Sequence, residues 1–172
     1  MKAIIGDICY PKSEAVVIPA NTKGIMSQGV PGRISKAGLG SISKELKKII
    51  MNKEIEVGQC LVSGPGRLKR RGVKKIYHAV IKRLQSDFTT IYMVRDALKA
   101  SLQMVVADKM KSVSLCGIGI DLGDLDKKTV ARLTFEICRK YENKIEIKII
   151  DNNEEFIIEV NNLIGKNNVI TQ

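Results

Sequence analysis

The chain is poor in aromatic residues, with three Phe, four Tyr and no Trp among 172 residues. Proteins that grip single-stranded nucleic acid regardless of sequence stack its bases on aromatic platforms, and little material for that mode is present. Histidine occurs once, at His78, and the four cysteines Cys9, Cys60, Cys116 and Cys138 are scattered with no Cys-x-x-Cys pair. A zinc site needs ligands at characteristic spacings, so no metal is expected and the cysteines read as small buried apolar side chains. No apolar run reaches the roughly 18 residues of a membrane span. The opening Met1-Lys2-Ala3-Ile4-Ile5-Gly6-Asp7 is stopped by an acid far short of a signal-peptide core. The expectation is a cytoplasmic protein with reduced thiols and no membrane association.

Apolar residues make up 44% and charged residues 27%, which is the composition of an ordinary globular domain. The length fits one domain, expected over residues 1–165, with 166–172 as a frayed tail. Lys and Arg number 29 against 18 Asp and Glu, a net charge of +11. That excess attracts phosphate-bearing partners of any size, from a dinucleotide to RNA, without choosing among them.

Short runs rich in Val and Ile and bordered by Gly, Pro or Asp read as strands over residues 14–18, 59–62, 75–81, 113–117 and 144–150, with residues 2–5 as a sixth. Between them Ile91, Val94, Leu98, Leu102 and Val105 recur at steps of three and four, which predicts a helix over residues 90–109. Val130, Leu133, Ile137 and Tyr141 predict another. Asn152, three residues before Glu155, reads as the cap of a last helix that Gly165 ends. A shorter pair of helices covers residues 31–53. Alternation of strand and helix in the second half implies right-handed crossovers into a largely parallel sheet, and the two adjacent strand pairs early in the chain make it a mixed one.

In such a sheet ligands bind beyond the carboxyl ends of the strands. Gly6-Asp7-Ile8 follows the first strand, and Asp7 offers a carboxylate that either accepts a hydrogen bond from an exocyclic amine such as that of adenine or caps a turn. After the second strand comes Pro19 to Gly40, holding Gly24, Gly29 and Gly32, with Pro31 in a helix's first turn. It is either a glycine-rich connector or a loop whose backbone N–H groups approach phosphate oxygens, with Asn21 on a ribose hydroxyl. Gly117-Ile118-Gly119-Ile120-Asp121-Leu122-Gly123 lies between a later strand and a helix. Its spacing is neither that of a dinucleotide fingerprint nor that of a Walker loop, yet it suits a pyrophosphate cradle. Asp121 is out of place beside an anion, which makes it a candidate catalytic or ribose-contacting acid.

In this order and on this strand pattern, the three segments resemble the macrodomain family of ADP-ribose-binding modules over roughly residues 2–160. The matches are Gly6-Asp7-Ile8, Val16 to Asn21, Gly29-Val30-Pro31-Gly32 with Lys36-Ala37-Gly38, Ile76 to Val80, and Gly117-Ile118-Gly119-Ile120. The resemblance implies an α/β fold, a three-layer α/β/α sandwich on a mixed, mostly parallel six-stranded sheet. It further implies ADP-ribose as ligand, with Asp7 and Ile8 at the adenine and Asn21 at the distal ribose. Gly29, Val30, Gly32, Gly117, Gly119, Ile120 and Gly123 fall around the phosphates, and no cofactor is implied. Hydrolytic members of the MacroD type carry an aspartate where Pro31 stands, so their mechanism does not carry over. A second branch, resembling terminal ADP-ribose protein glycohydrolase, uses a lysine after a middle strand and an aspartate in the second glycine loop, positions held here by Lys82 and Asp121. An amine can attack the anomeric carbon of the distal ribose while an acid shuttles the proton, so Lys82, Asp121 and Asn21 are the catalytic candidates for cleaving ADP-ribosyl esters. The plain alternatives are a solvated Lys82 and a non-catalytic reader.

Arg67 to Lys75 contains six basic residues in nine and joins two strands. It is either a solvated face or a contact for RNA or another polyanion. A monomer is expected.

Overall fold

The structure, a computed structural model, describes residues 1–84, 86–120 and 125–170, with side chains described through Lys166. The elements are β1 (Lys2–Ile5), β2 (Ala15–Asn21), α1 (Gly29–Ala37), α2 (Ser41–Ile50), β3 (Cys60–Ser63), a 3-10 turn (Gly66–Arg71), β4 (Lys75–Lys82), α3 (Ile91–Ala107), β5 (Ser112–Leu115), α4 (Lys127–Cys138), β6 (Glu146–Asp151) and α5 (Glu154–Ile170). This is the expected order of strands and helices.

The six strands form one sheet in the order β1-β6-β5-β2-β4-β3. Every neighbouring pair is parallel except β3 against β4. The mixed character therefore comes from β3–β4 alone; β1 lies at the edge beside β6 and does not pair with β2. From β2 the chain passes to the β3 edge, comes back one place to β4, then crosses β2 to β5 and on to β6, which lies beside the opening strand β1. Right-handed crossovers in opposite directions put α1 and α2 on one face and α3, α4 and α5 on the other. This gives the three layers.

The central strands are buried on both faces, which is why they read as unbroken apolar runs: Val16, Val17, Ile18, Ile76 and Leu115 are fully enclosed. On α3, Val94, Leu98, Leu102 and Val105 are all 0% exposed, and the Thr90 hydroxyl caps the helix by accepting the Met93 N–H at 3.3 Å.

Several boundaries shift by a few residues from the sequence reading, and three of the differences have a local physical cause. Strand β2 continues through Pro19 to Asn21. It pairs with β5 only over Ala15–Val17, so Pro19 falls where the strand has a neighbour on one side alone, a position a sheet leaves open to proline. The cap of α5 is Asn153, whose Oδ1 accepts the Phe156 N–H at 3.1 Å, and not Asn152. That helix runs on through Gly165 to Ile170, so residues 166–170 are helical and Gly165 does not end it. A helix tolerates an interior glycine at a cost of about 1 kcal/mol.

Candidate functional site

Five parallel strands end on one rim of the sheet. Read across it, the residues there are Gly6-Asp7-Ile8 after β1, Asp151 at the end of β6, Gly117 after β5, Asn21 at the end of β2 and Lys82 at the end of β4. Chains leaving β2 and β5, which are neighbours, run to helices on opposite faces. A crevice opens where strand order reverses in this way.

The first glycine loop hangs on Asn21, which is 2% exposed. Its Oδ1 accepts the N–H groups of Lys23 and Ile25, each at 3.1 Å, and its Nδ2 donates to the Ile25 carbonyl at 3.0 Å. The loop then enters α1, whose first backbone bond runs from the Gly32 N–H to the Gln28 carbonyl at 2.9 Å. The N–H groups ahead of that bond have no intrahelical acceptor, so Pro31 in the first turn removes no helix bond. A Cβ on Gly32 would stand 2.9 Å from the Ser27 carbonyl carbon and oxygen; only glycine lets the loop fold this closely on the helix start. Val30 is buried beneath, and Gly29 has φ of 56°.

The second glycine loop hangs on Asp151, a residue the sequence analysis did not single out. It is 3% exposed; Oδ2 accepts the Gly117 N–H at 2.9 Å and Oδ1 accepts the Asn153 N–H at 2.8 Å. Its backbone carbonyl accepts the Gly6 N–H at 2.9 Å. One residue thus ties together the ends of β1, β5 and β6 and the start of α5. The only signal in the sequence is an acid closing the apolar run Lys144 to Ile150. Ile118 and Ile120 pin the loop into the core, and Gly119 between them turns with φ of 101°. Asp121 and Gly123 lie outside the described residues.

At the β1 end, Asp7 Oδ1 accepts the Cys9 N–H at 2.9 Å, so the carboxylate caps a turn. Its side chain remains 44% exposed, with Arg33 Nε of α1 at 4.0 Å, and Ile8 beside it is buried. At the other end, Lys82 pairs in register with Asn21 across a bulge. Lys82 is only 6% exposed, so the alternative of a solvated Lys82 does not hold, whereas Arg83 after it lies in solvent. The Thr22 N–H donates to the Lys82 carbonyl at 3.1 Å, and its hydroxyl donates to that of Arg83 at 3.0 Å, fixing the two strand ends together. Beyond them opens a cavity of about 800 Å³ lined by Thr22, Lys23, Lys82, Arg83, Phe88 and Met93 among others.

Among the described residues, the cysteines and the one histidine make no competing centre. Burial pushes the Cys9 and Cys138 thiols up to about 12 and Cys60 up to about 11, which leaves them protonated at neutral pH. His78 is fully buried and its pKa is lowered to about 3 by desolvation; Nε2 meets the Ser63 hydroxyl at 2.8 Å. Among the described residues no three His, Cys, Asp or Glu side chains cluster so as to hold a metal ion. Nor is any helix there long and apolar enough to cross a membrane.

The family model of the Macro domain matches residues 17–134. The chain belongs to the macrodomain family. A macro domain-containing protein of Caldanaerobacter subterraneus subsp. tengcongensis is 38% identical over 151 residues, covering 86% of this chain and 84% of that one. Among solved structures, a mutant macrodomain of Oceanobacillus iheyensis with ADPR superposes with a TM-score of 0.83 at 17% identity, covering 99% of this chain and 93% of that chain. The macrodomain of Mycobacterium tuberculosis DarG superposes with a TM-score of 0.75 at 19% identity, covering 87% and 98%. At such identities the superpositions establish the α/β macrodomain fold, a mixed sheet between two helical layers.

Proposed function

We propose that this macrodomain binds ADP-ribose, or a derivative of it, lengthwise along the rim and cleaves ADP-ribosyl esters. The observation that carries the reading is the order of groups from β1 to β4: a surface carboxylate, two glycine loops, a buried amide and a buried amine. Four strand spacings of about 4.8 Å make this row about 19 Å long, suited to an elongated ligand. In the same order ADP-ribose presents an exocyclic amine, a pyrophosphate and a second ribose. The adenine amine donates to Asp7 with Ile8 against the base. Gly29 and Val30 at the start of α1 face the pyrophosphate from one side, with Gly119 and Ile120 opposite, while Gly32 and Gly117, whose N–H groups are bonded to Gln28 and Asp151, let the two walls approach; the start of α1 adds the favourable end of its dipole. The distal ribose reaches Asn21. Its anomeric carbon then lies toward Lys82, and the attached group enters the cavity beyond.

For an ester substrate, the deprotonated Lys82 amine attacks the anomeric carbon. A carbon–nitrogen bond forms as the carbon–oxygen bond breaks, and the carboxylate leaves with the bonding electrons. Water then releases ADP-ribose and restores the amine. The proton shed by lysine needs an acceptor, for which Asp121 is the sequence's candidate. Incubation with glutamate-linked ADP-ribosylated protein tests this reading. Wild type should release ADP-ribose and form an adduct that survives denaturing gels. Lys82→Ala and Asp121→Ala should lose release by at least about 100-fold, the usual reach of acid–base assistance, while still binding ADP-ribose. Full turnover in both variants would remove the lysine mechanism and leave Asn21 with a water. Absence of turnover by wild type on ester, acetyl and phosphate substrates would make the protein a reader.

A further inference from the structure

We infer that a second anion site, separate from the rim, binds the phosphate backbone of a nucleic acid on the surface made by Lys36, Arg67, Arg70 and Arg71. The basic stretch from Arg67 to Lys75 does not act as one unit. Lys74 is paired with Glu14 at 2.7 Å and Lys75 with Asp108 at 2.9 Å, so these two brace the start of β4. The earlier cations lie on the 3-10 turn, and among the described residues no carboxylate pairs with Arg67, Lys69, Arg70 or Arg71.

That turn is rigidly mounted. Leu68 is 1% exposed and plugs into the core. Gly66, with φ of 52°, sits so close to the α1–α2 junction that a Cβ there would collide with Ser41 Oγ and stand 3.0 Å from the Gly38 carbonyl oxygen. Arg71 is held by the Cys9 carbonyl, which accepts from its Nη1, and lies 4.0 Å from the centre of the Tyr10 ring. The last turn of α1 faces the mount and contributes Lys36. Its Ile34, Ser35 and Lys36 carbonyls accept the N–H groups of Gly38, Gly40 and Leu39, so the helix end offers a cation over capped carbonyls. Between turn and helix lies a concavity of about 410 Å³ lined by Lys36, Leu39, Arg67, Arg70 and Arg71, with no acidic side chain.

Four cations around one hollow, three of them guanidinium forks, match phosphate oxygens. The hollow has one exposed apolar side chain, Leu39, too little for the apolar centre of a protein interface, which favours a nucleic acid over an acidic protein. No aromatic side chain lines the hollow, so recognition there is of the backbone, tolerant of sequence.

The test is fluorescence anisotropy with 20-base-pair RNA and DNA duplexes over a salt series, beside calorimetry with ADP-ribose. Wild type is compared with the triple variant Lys36→Gln/Arg67→Gln/Arg70→Gln; Arg71 is kept because it holds the loop next to Asp7. Loss of three phosphate contacts should reduce the slope of log K against log salt by about 2 to 3 and weaken duplex binding at least about tenfold near 0.1 M salt. ADP-ribose affinity should stay as it was, and Arg67→Lys/Arg70→Lys should keep most of the slope. The proposal is overturned if wild type binds neither duplex, if the triple variant keeps the wild-type slope, or if poly-glutamate binds as tightly with the same losses. It is likewise overturned if ADP-ribose binding falls in step with duplex binding in the folded variant.

Discussion

Asn21 and Asp151 both end a parallel strand, both are buried, and both spend their side chains on backbone N–H groups of a glycine-bearing loop. They differ in reach. Asn21 holds the loop that follows it, with partners two and four residues away. Asp151 holds Gly117, 34 residues earlier, and also Asn153 and, through its carbonyl, Gly6. The first loop is therefore shaped by its own strand end, whereas the second exists in its present form only once β5, β6 and β1 have assembled. A carboxylate suits the second task, since it accepts bonds with both oxygens. An amide suits the first, where one partner is a carbonyl that needs a donor.

The largest effect should follow from cutting the long-range tie. Asp151→Ala leaves two N–H donors without their charged acceptor, at about 1.5–3 kcal/mol each. A loss of about 4 kcal/mol in denaturant-measured stability is expected, with weaker binding of both AMP and ADP-ribose. Asp151→Asn, which keeps one acceptor and turns the other into a donor, should recover part of the stability. A stability cost below about 1 kcal/mol for Asp151→Ala, the scale of an ordinary neutral hydrogen bond, would mean that the second loop is held by its isoleucines alone.

His78 is the contrast from mid-strand, a buried polar side chain that serves no loop. Among the described residues its Nδ1 has no hydrogen-bond partner, and burial lowers its pKa from the ordinary 6.5 to about 3. In the unfolded chain the imidazole takes up a proton near pH 6.5; in the folded one it resists until near pH 3. Its contribution is thus complete above pH 6.5 and is lost progressively as pH falls toward 3. Two pH units at 1.36 kcal/mol each make that loss about 3 kcal/mol by pH 4.5. His78→Gln should flatten the stability profile between pH 6.5 and 4.5 while ADP-ribose affinity at neutral pH is unchanged. An equal slope in the variant would assign the acid sensitivity to other groups.

A smaller change is expected from Asn21→Ala, about 2 kcal/mol of stability for three bonds within one loop. It should separate the two ligands: ADP-ribose weakened about tenfold, a change of 1.4 kcal/mol, and AMP, which lacks the distal ribose, unaffected. If AMP weakens equally, Asn21 acts only by shaping the glycine loop.

The same difference in reach explains what the sequence disclosed. Apolar runs, helical periods and a cap signal marked every segment but the 3-10 turn, with α1 and α2 only as an undivided pair over residues 31–53, because each pattern is local, and the glycine clusters after β2 and β5 marked the rim. Asp151 went unnoticed because nothing near residue 151 reports Gly117. For Lys82 the sequence left a catalytic and a solvated reading open, because only the packing of β2 against β4 encloses it. Pro19 masked the end of β2, since a proline reads as a strand terminator unless the missing neighbour on one side is known. The basic stretch looked continuous because Glu14 and Asp108, which take Lys74 and Lys75 out of it, are remote in sequence.

The most direct test of the account is a calorimetric titration of the wild-type protein with ADP-ribose and, separately, with AMP at one salt concentration. If the rim holds base, pyrophosphate and distal ribose in a row, ADP-ribose should bind at least about tenfold more tightly than AMP, a difference of 1.4 kcal/mol or more. Equal affinities would contradict it, for the groups placed beyond the first phosphate, Asn21 and the end of β4 among them, would then contribute nothing to the ligand.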